Sequence, residues 1–284
     1  MLLYDKAGLA FIHVPKNGGK SIRAALDAAC PINLAPTAAD LGITVEQLVA
    51  DYESGRGVTH PVLGQVKIEH LPLVFWEEHF PRTFAAFTPL KSFVMLRDPR
   101  DRFFSAVLQR LGEYQDLKNL RADDPLVTAE ALRVCEWLGA REAFCDIDHI
   151  HFTRQADYVT LRGERRVSAI FPIDATAAAA EWVGRETGLT IEVAHEHARR
   201  EPKRWSKAIQ PAARFAGRHL IPGPIKRAIY PLWRGSGVFD DASKRYKAIE
   251  LDSEVERFVS EYYAPDAALY REARELAGLA QKAG

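Results

Sequence analysis

Seven consecutive residues, Pro15-Lys16-Asn17-Gly18-Gly19-Lys20-Ser21, have the composition of an anion-binding turn. An apolar run with a β-branched bias, residues 9–14, leads into them, and Ile22, Ala25, Leu26 and Ala29 follow at helical spacing. A strand that ends in a glycine turn and opens a helix leaves backbone N–H groups without intrahelical acceptors, and the helix dipole favours negative charge there. Gly18 and Gly19 can take the positive φ that a concave array of N–H groups requires. Lys16 and Lys20 add charge and Ser21 adds a hydroxyl. Such a turn suits a phosphate or another oxyanion.

A second polar set lies in VMLRDPRDRFFSAVL, residues 94–108. Arg97 ends a strand candidate, the place where ligands of open α/β sheets gather, and its guanidinium can fork onto a phosphate. Ser105, two turns into the following helix, can donate a hydroxyl beside it. Between the two sets runs QVKIEHLPL, in which His70 follows a weaker strand candidate. A histidine of ordinary pKa, about 6.5, is largely neutral at pH 7 and can accept a proton. The pairs His149/His151 and His195/His197 would share a face on a strand, but neither has a cysteine or carboxylate set to complete a metal site, and no metal is expected.

The elements that must position these groups alternate between strand and helix. Strands are expected at 9–14, 66–69, 91–96, 158–161 and 169–173. Thr44 and Gln47 form a capping box for a helix over 45–52. Asp98 and Pro99 are an N-cap and first helical residue, ahead of a face made by Phe103, Phe104, Val107, Leu108 and Leu111. Further helices fit 129–138, an alanine-rich stretch capped by Asp174 and closed by Gly188, 253–263 and 265–276. This order predicts an α/β fold with a central, mostly parallel sheet flanked by helices. Residues 31–61 and 199–247 resist such reading. The second interval holds thirteen Lys or Arg against Glu201, Asp240 and Asp241, with Trp205, Phe215, Tyr230 and Trp233 among them. It is expected to be a loop-rich insertion in a single domain spanning 1–284.

The glycine turn carries the Gly-Lys-Ser end of the nucleotide-kinase loop GxxxxGK[ST], but Val14 stands where its first glycine belongs. It is more similar to the shortened loop of PAPS-dependent sulfotransferases, written PKTGGTS, with Asn17 and Lys20 in place of the two threonines (PAPS is 3′-phosphoadenosine 5′-phosphosulfate). Arg97, Asp98, Pro99, Arg102 and Ser105 match that family's R-D-P-x-x-R-x-x-S. The stretch ERFVSEYYAPDAALYREA resembles its closing segment. The likeness spans residues 8–26, 66–111, about 149–187 and 250–272, and lies nearest the heparan 2-O-sulfotransferase type of carbohydrate enzyme.

The resemblance implies a P-loop-like nucleotide-binding fold, PAPS as co-substrate without a metal, and a hydroxyl acceptor on a carbohydrate. It assigns the 5′-phosphosulfate to Lys16, Asn17, Gly18, Gly19, Lys20 and Ser21, with Lys16 on the bridging oxygen. Arg97 and Ser105 take the 3′-phosphate. His70 matches the second histidine of a His-Gly-His element that supplies the base; Ile68 and Glu69 replace the residues before it, and Glu69 is the alternative base. A small-molecule kinase of the P-loop type and a non-catalytic glycan-binding protein on the same fold are the competing readings.

Composition narrows the setting. Lys plus Arg and Asp plus Glu number 38 each, so the chain has no overall bias towards polyanions. No nucleic-acid module signature is present. Cys30, Cys135 and Cys145 match no disulfide framework or zinc pattern and are expected to be reduced, in or near the core. No run reaches the roughly 18 to 20 apolar residues of a membrane span, and the first residues lack the pattern of a signal peptide. A cytoplasmic protein is expected.

Overall fold

The computed structural model describes residues 1–55, 57–114, 124–139, 141, 143–193, 200–202, 239–241 and 253–279. Two compact units emerge: one holds residues 1–120, 124–194 and 251–284, the other 121–123 and 195–250. In the second, β9 (Arg200–Pro202) pairs antiparallel with β10 (Phe239–Asp241). The remainder of the basic interval, with Trp205, Phe215, His219, Tyr230 and Trp233, lies outside the described residues, as do His195 and His197.

The first unit is built on a four-stranded sheet in the order β1-β2-β5-β8. β2 (Leu9–Ile12), β5 (Lys91–Leu96) and β8 (Ala169–Pro172) run parallel, and β1 (Leu2–Tyr4) adds antiparallel at the edge. The sheet is therefore mixed. Side chains alternate with the period of two that strands impose. Leu2, Tyr4, Leu9, Phe11, Phe93 and Met95 pack on one face with Ile22 and Leu26 of α1 (Gly19–Ala29) and Val183 of α8 (Thr176–Thr187). Leu3, Ala10, Ile12, Val94 and Leu96 pack on the other with Leu73 and Trp76 of α4 (Leu73–His79) and Phe87 of α5 (Pro81–Phe87). The continuous apolar runs of β2 and β5 follow from burial on both faces.

The helix-start signals behave as their chemistry requires. The Thr44 capping box is present at α3 (Val45–Ser54), and α2 (Ala35–Leu41) precedes it in the interval that resisted reading. Asp98 Oδ1 accepts from the N–H of Asp101 at 3.0 Å, opening α6 (Pro99–Tyr114). Phe103, Phe104, Val107 and Leu111 are buried as expected, and α6 packs on α7 (Pro125–Leu138) and α9 (Ser253–Tyr262). Cys30 and Cys135 are buried, Cys145 is partly buried, and all three are free thiols.

Three expectations need correction. The strand expected over 66–69 ends at Val66: β4 (Gly64–Val66) forms a hairpin with β3 (Val58–His60) outside the central sheet, and Ile68–His70 is a single 3-10 turn. The stretch 158–161 likewise splits into a 3-10 turn at Gln155–Tyr158 and a short hairpin of β6 (Thr160–Leu161) with β7 (Glu164–Arg165). Asp174 does not cap α8, which begins at Thr176 without a side-chain cap; its Oδ2 accepts from Arg274 Nη1 at 2.9 Å instead. The first two are periodicity read over runs too short to distinguish a strand from a turn.

Asp266 of α10 (Ala264–Leu276) is fully buried and accepts from the backbone N–H groups of Gln155 at 2.8 Å and Ala156 at 2.9 Å. It caps the Gln155–Tyr158 turn from another part of the chain. Asp266→Ala would leave two buried donors without an acceptor, so stability should fall by about 2 to 4 kcal/mol. Asp266→Asn keeps one acceptor and should lose less. Urea denaturation midpoints at pH 7 measure both, and equal midpoints for Asp266→Ala and the unaltered chain would remove this role.

Candidate functional site

The glycine turn joins β2 to α1 as its sequence requires. Lys16 has φ 70° and Gly18 has φ 67°, while Asn17 between them does not have a positive φ. Alternation of this kind curls successive N–H groups into a concave array. Gly18 is the N-cap of α1 in the left-handed region, and no side chain caps the helix. Lys16 holds a left-handed conformation without being glycine, a strain on the order of 1 to 2 kcal/mol of the kind that concentrates at functional sites.

Hydrogen bonds tie this turn to the second motif. Arg97 Nη1 donates to the Lys16 carbonyl at 3.3 Å, and Arg102 Nε donates to the Pro15 carbonyl at 3.1 Å. Asn17 Nδ2 donates to the Met95 carbonyl at 2.7 Å and to Gln155 Oε1 at 2.6 Å. The same Oε1 accepts from the Arg97 N–H at 2.9 Å, while Gln155 Nε2 donates to the Arg97 carbonyl at 2.8 Å. Lys16 Nζ donates to Gln109 Oε1 on α6. The ends of two adjacent parallel strands are thereby locked together. Lys20 is exposed, Ser21 partly buried, and Ser105 buried on α6.

Arg102 is 1% exposed; its Nη1 reaches the Thr153 carbonyl at 2.6 Å, and Nη2 has no hydrogen-bond partner among the described residues. Its guanidinium is held by the carbonyls of Pro15 and Thr153. Asn17 Oδ1 is also buried without a partner among the described residues. Lys16, Arg97 and Arg102 are thus brought together at the start of α1 by these hydrogen bonds.

His70 belongs to a cluster that sequence spacing does not reveal. Its ring meets His13 edge-on, with centroids 5.0 Å apart, and His151 at 5.6 Å. Glu69 Oε1 lies 3.9 Å from His70 Nε2, and the Tyr158 hydroxyl donates to the His70 carbonyl at 2.6 Å. Burial, followed by the charges of His13, His151 and Lys67, holds His70 well below the ordinary histidine pKa. Burial likewise lowers His13 and His151 to about 3 each, and Lys16 heads the charges that act on His151. All three rings are neutral at pH 7, and burial makes each a weaker base than a free imidazole.

His149 does not share a face with His151. Its ring stacks on Trp137 at 3.8 Å, and Nδ1 pairs with Asp146 Oδ1 at 2.6 Å. The 3-10 turn at Ile150–Phe152 breaks the i,i+2 alignment a strand would give. Among the described residues no group of three or more His, Cys, Asp or Glu is arranged to hold a metal ion. No helix among them is long and apolar enough to cross a membrane. Gln109 and Gln155 carried no motif, and His151 was read only as half of a pair with His149; contacts between distant segments bring them to the site.

No family model, no curated protein and no solved structure matches this chain.

The histidine cluster sets a pH dependence of stability. The folded rings stay neutral down to about pH 3 for His13 and His151, whereas unfolded histidines protonate below about 6.5. Between those values the unfolded chain binds more protons, so stability is full above about pH 6.5 and falls as pH drops, by up to about 1.4 kcal/mol per unit for each ring. Asp266 opposes this: burial raises it to about 6, so it favours the folded state as pH falls through about 6 towards 4. The three rings outweigh one carboxyl. The melting temperature should therefore fall from pH 6.5 to 4.5, and His151→Asn should flatten the fall. An unaltered slope in that variant would show that His151 titrates normally in the folded chain.

Proposed function

We propose that this chain is a sulfotransferase that moves a sulfuryl group from PAPS to a hydroxyl acceptor on a carbohydrate. The observation that supports it best is the joining of two anion-binding motifs at neighbouring strand ends, with Arg97 Nη1 on the carbonyl of Lys16. ATP has no 3′-phosphate, whereas PAPS carries an anionic group at each end of its ribose. A turn rich in N–H groups and a second arginine–serine set suit such a ligand better than a single phosphate chain.

In this reading the turn at 16–21 holds the 5′-phosphosulfate, and Arg97 with Ser105 binds the 3′-phosphate. The acceptor oxygen attacks sulfur as the bond from sulfur to the 5′-phosphate oxygen breaks, releasing adenosine 3′,5′-bisphosphate. Lys16 neutralises charge on the leaving phosphate, and neutral His70 takes the hydroxyl proton. Rate enhancement comes chiefly from positioning and charge stabilisation, as in phosphoryl transfer. Arg102 contributes a fixed positive charge below the turn.

Calorimetry with adenosine 3′,5′-bisphosphate, ADP and ATP separates this reading from a kinase. The 3′-phosphorylated nucleotide should bind best. Arg97→Ala should weaken it by on the order of 10- to 150-fold, the loss of a charged hydrogen bond, while ADP changes little. Equal losses for both nucleotides would mean that Arg97 does not read the 3′-phosphate, and tighter binding of ATP would favour the kinase.

The chemical step has its own test. His70→Ala should bind PAPS normally and lose roughly 10² to 10⁴ in kcat, the worth of a general base, while Glu69→Ala stays active. Lys16→Ala should depress kcat more than it raises KM. More than about a tenth of the original kcat in His70→Ala, outside that range, would move the base elsewhere, with Glu69 the first residue to examine.

A further inference from the structure

The histidine cluster and the glycine turn are one packed unit. A Cβ on Gly19 would lie 2.7 Å from His13 Cδ2 and 3.0 Å from His13 Nε2, so the ring rests directly on the turn. His70 bridges His13 to His151 through edge-on contacts. His13 Nδ1 and His70 Nδ1 are both buried with no hydrogen-bond partner among the described residues. Native interiors seldom leave two such nitrogens side by side, because each forfeits its solvation.

The charges around the cluster are almost all positive. Lys20 and Arg23 of α1 act on His13. Lys67 acts on His70, and the Glu69 carboxylate lies 3.9 Å from its Nε2. Lys16, Lys67 and Arg102 act on His151. These cations oppose a proton on the rings. Burial is the first cause of the rings' neutrality; Lys16 and Lys20, two of the cations that add to it, belong to the turn, so an oxyanion seated there would offset their share.

We propose that an oxyanion bound at residues 16–21 draws one proton from solvent onto the His13–His70–His151 cluster, making anion affinity at this turn pH-dependent. His13, whose ring touches Gly19, is the natural seat of that proton. His70 then stays neutral and free to accept another. Unit charges several ångströms apart in a partly buried setting shift a pKa by about two units. A dianion at the turn therefore raises the proton affinity of the ring that touches it. The inference rests on the anion-binding part of the reading above and is independent of sulfuryl transfer.

Inorganic sulfate is the probe, because it stays dianionic throughout the window and brings no proton of its own. Its dissociation constant, measured by calorimetry at pH 7.5, 6.5 and 5.5, should tighten at each step, by up to about tenfold per unit for one linked proton. His13→Asn and His151→Asn should flatten that slope, whereas His149→Asn, stacked on Trp137 outside the cluster, should retain it. Nitrogen-15 spectra of the unaltered chain at pH 6.5 should show sulfate converting one imidazole to imidazolium, a readout that needs no variant. A pH-independent constant, a slope unchanged in both cluster variants, or no sulfate binding would each overturn the proposal. If the sulfate linkage holds but the nucleotides show no 3′-phosphate preference, the sulfotransferase reading fails and this one stands.

Discussion

One side-chain amide holds the site together. Gln155 Oε1 accepts from both Asn17 Nδ2 and the Arg97 N–H, and Nε2 donates to the Arg97 carbonyl. Each motif alone is a loop at a strand end, free to vary as loops are. The amide converts them into a single surface whose donors have fixed spacing. Gln155 is in turn fixed by Asp266, whose carboxylate takes the Gln155 and Ala156 N–H groups. The chain of dependence runs from α10, near the end of the sequence, to the turn near its start.

A buried polar network is valuable only when its members are satisfied. Around Gln155 the bonds are short and complete. A few ångströms of packing away, the balance is different: His13 Nδ1, His70 Nδ1, Asn17 Oδ1 and Arg102 Nη2 are buried without partners among the described residues. The satisfied part fixes geometry, and of the unsatisfied atoms Asn17 Oδ1 belongs to the turn and the His13 ring rests on Gly19. Proteins tolerate local violations of this sort at sites of function and offset them elsewhere. The large two-faced sheet core supplies that offset here.

Local chemistry explains what could be read in the sequence. β5, the Asp98 cap, the Thr44 capping box and the Gly188 end of α8 each depend on residues within one or two turns, and each took its expected form. The strand over 66–69 and the Asp174 cap failed because tertiary partners won: the Tyr158 hydroxyl holds the turn at His70, and Arg274 holds Asp174. β1, whose apolar residues sit at the very start, gave no alternation to mark it as an edge strand. For the site, the two motifs were legible because their residue types are chemically loud. Gln155 was silent, since a glutamine acquires meaning only from what folding sets beside it, and His151 was paired with the wrong neighbour, because its ring meets His70 and not His149.

The shortness of the glycine turn bears on how it could hold a ligand. With Val14 where a longer loop would place glycine, the backbone has fewer N–H groups to wrap around a phosphate chain. The structure offsets this from outside the loop. Arg97 and Arg102, both near the start of α6, grip the carbonyls of Lys16 and Pro15. Those bonds commit the carbonyl oxygens, the groups that would repel an anion, to cationic partners. In the proposed reading, a short loop braced by guanidinium groups from the next strand–helix junction is half of a site spanning two junctions. That division is why the ligand proposed here carries its anionic groups at two ends.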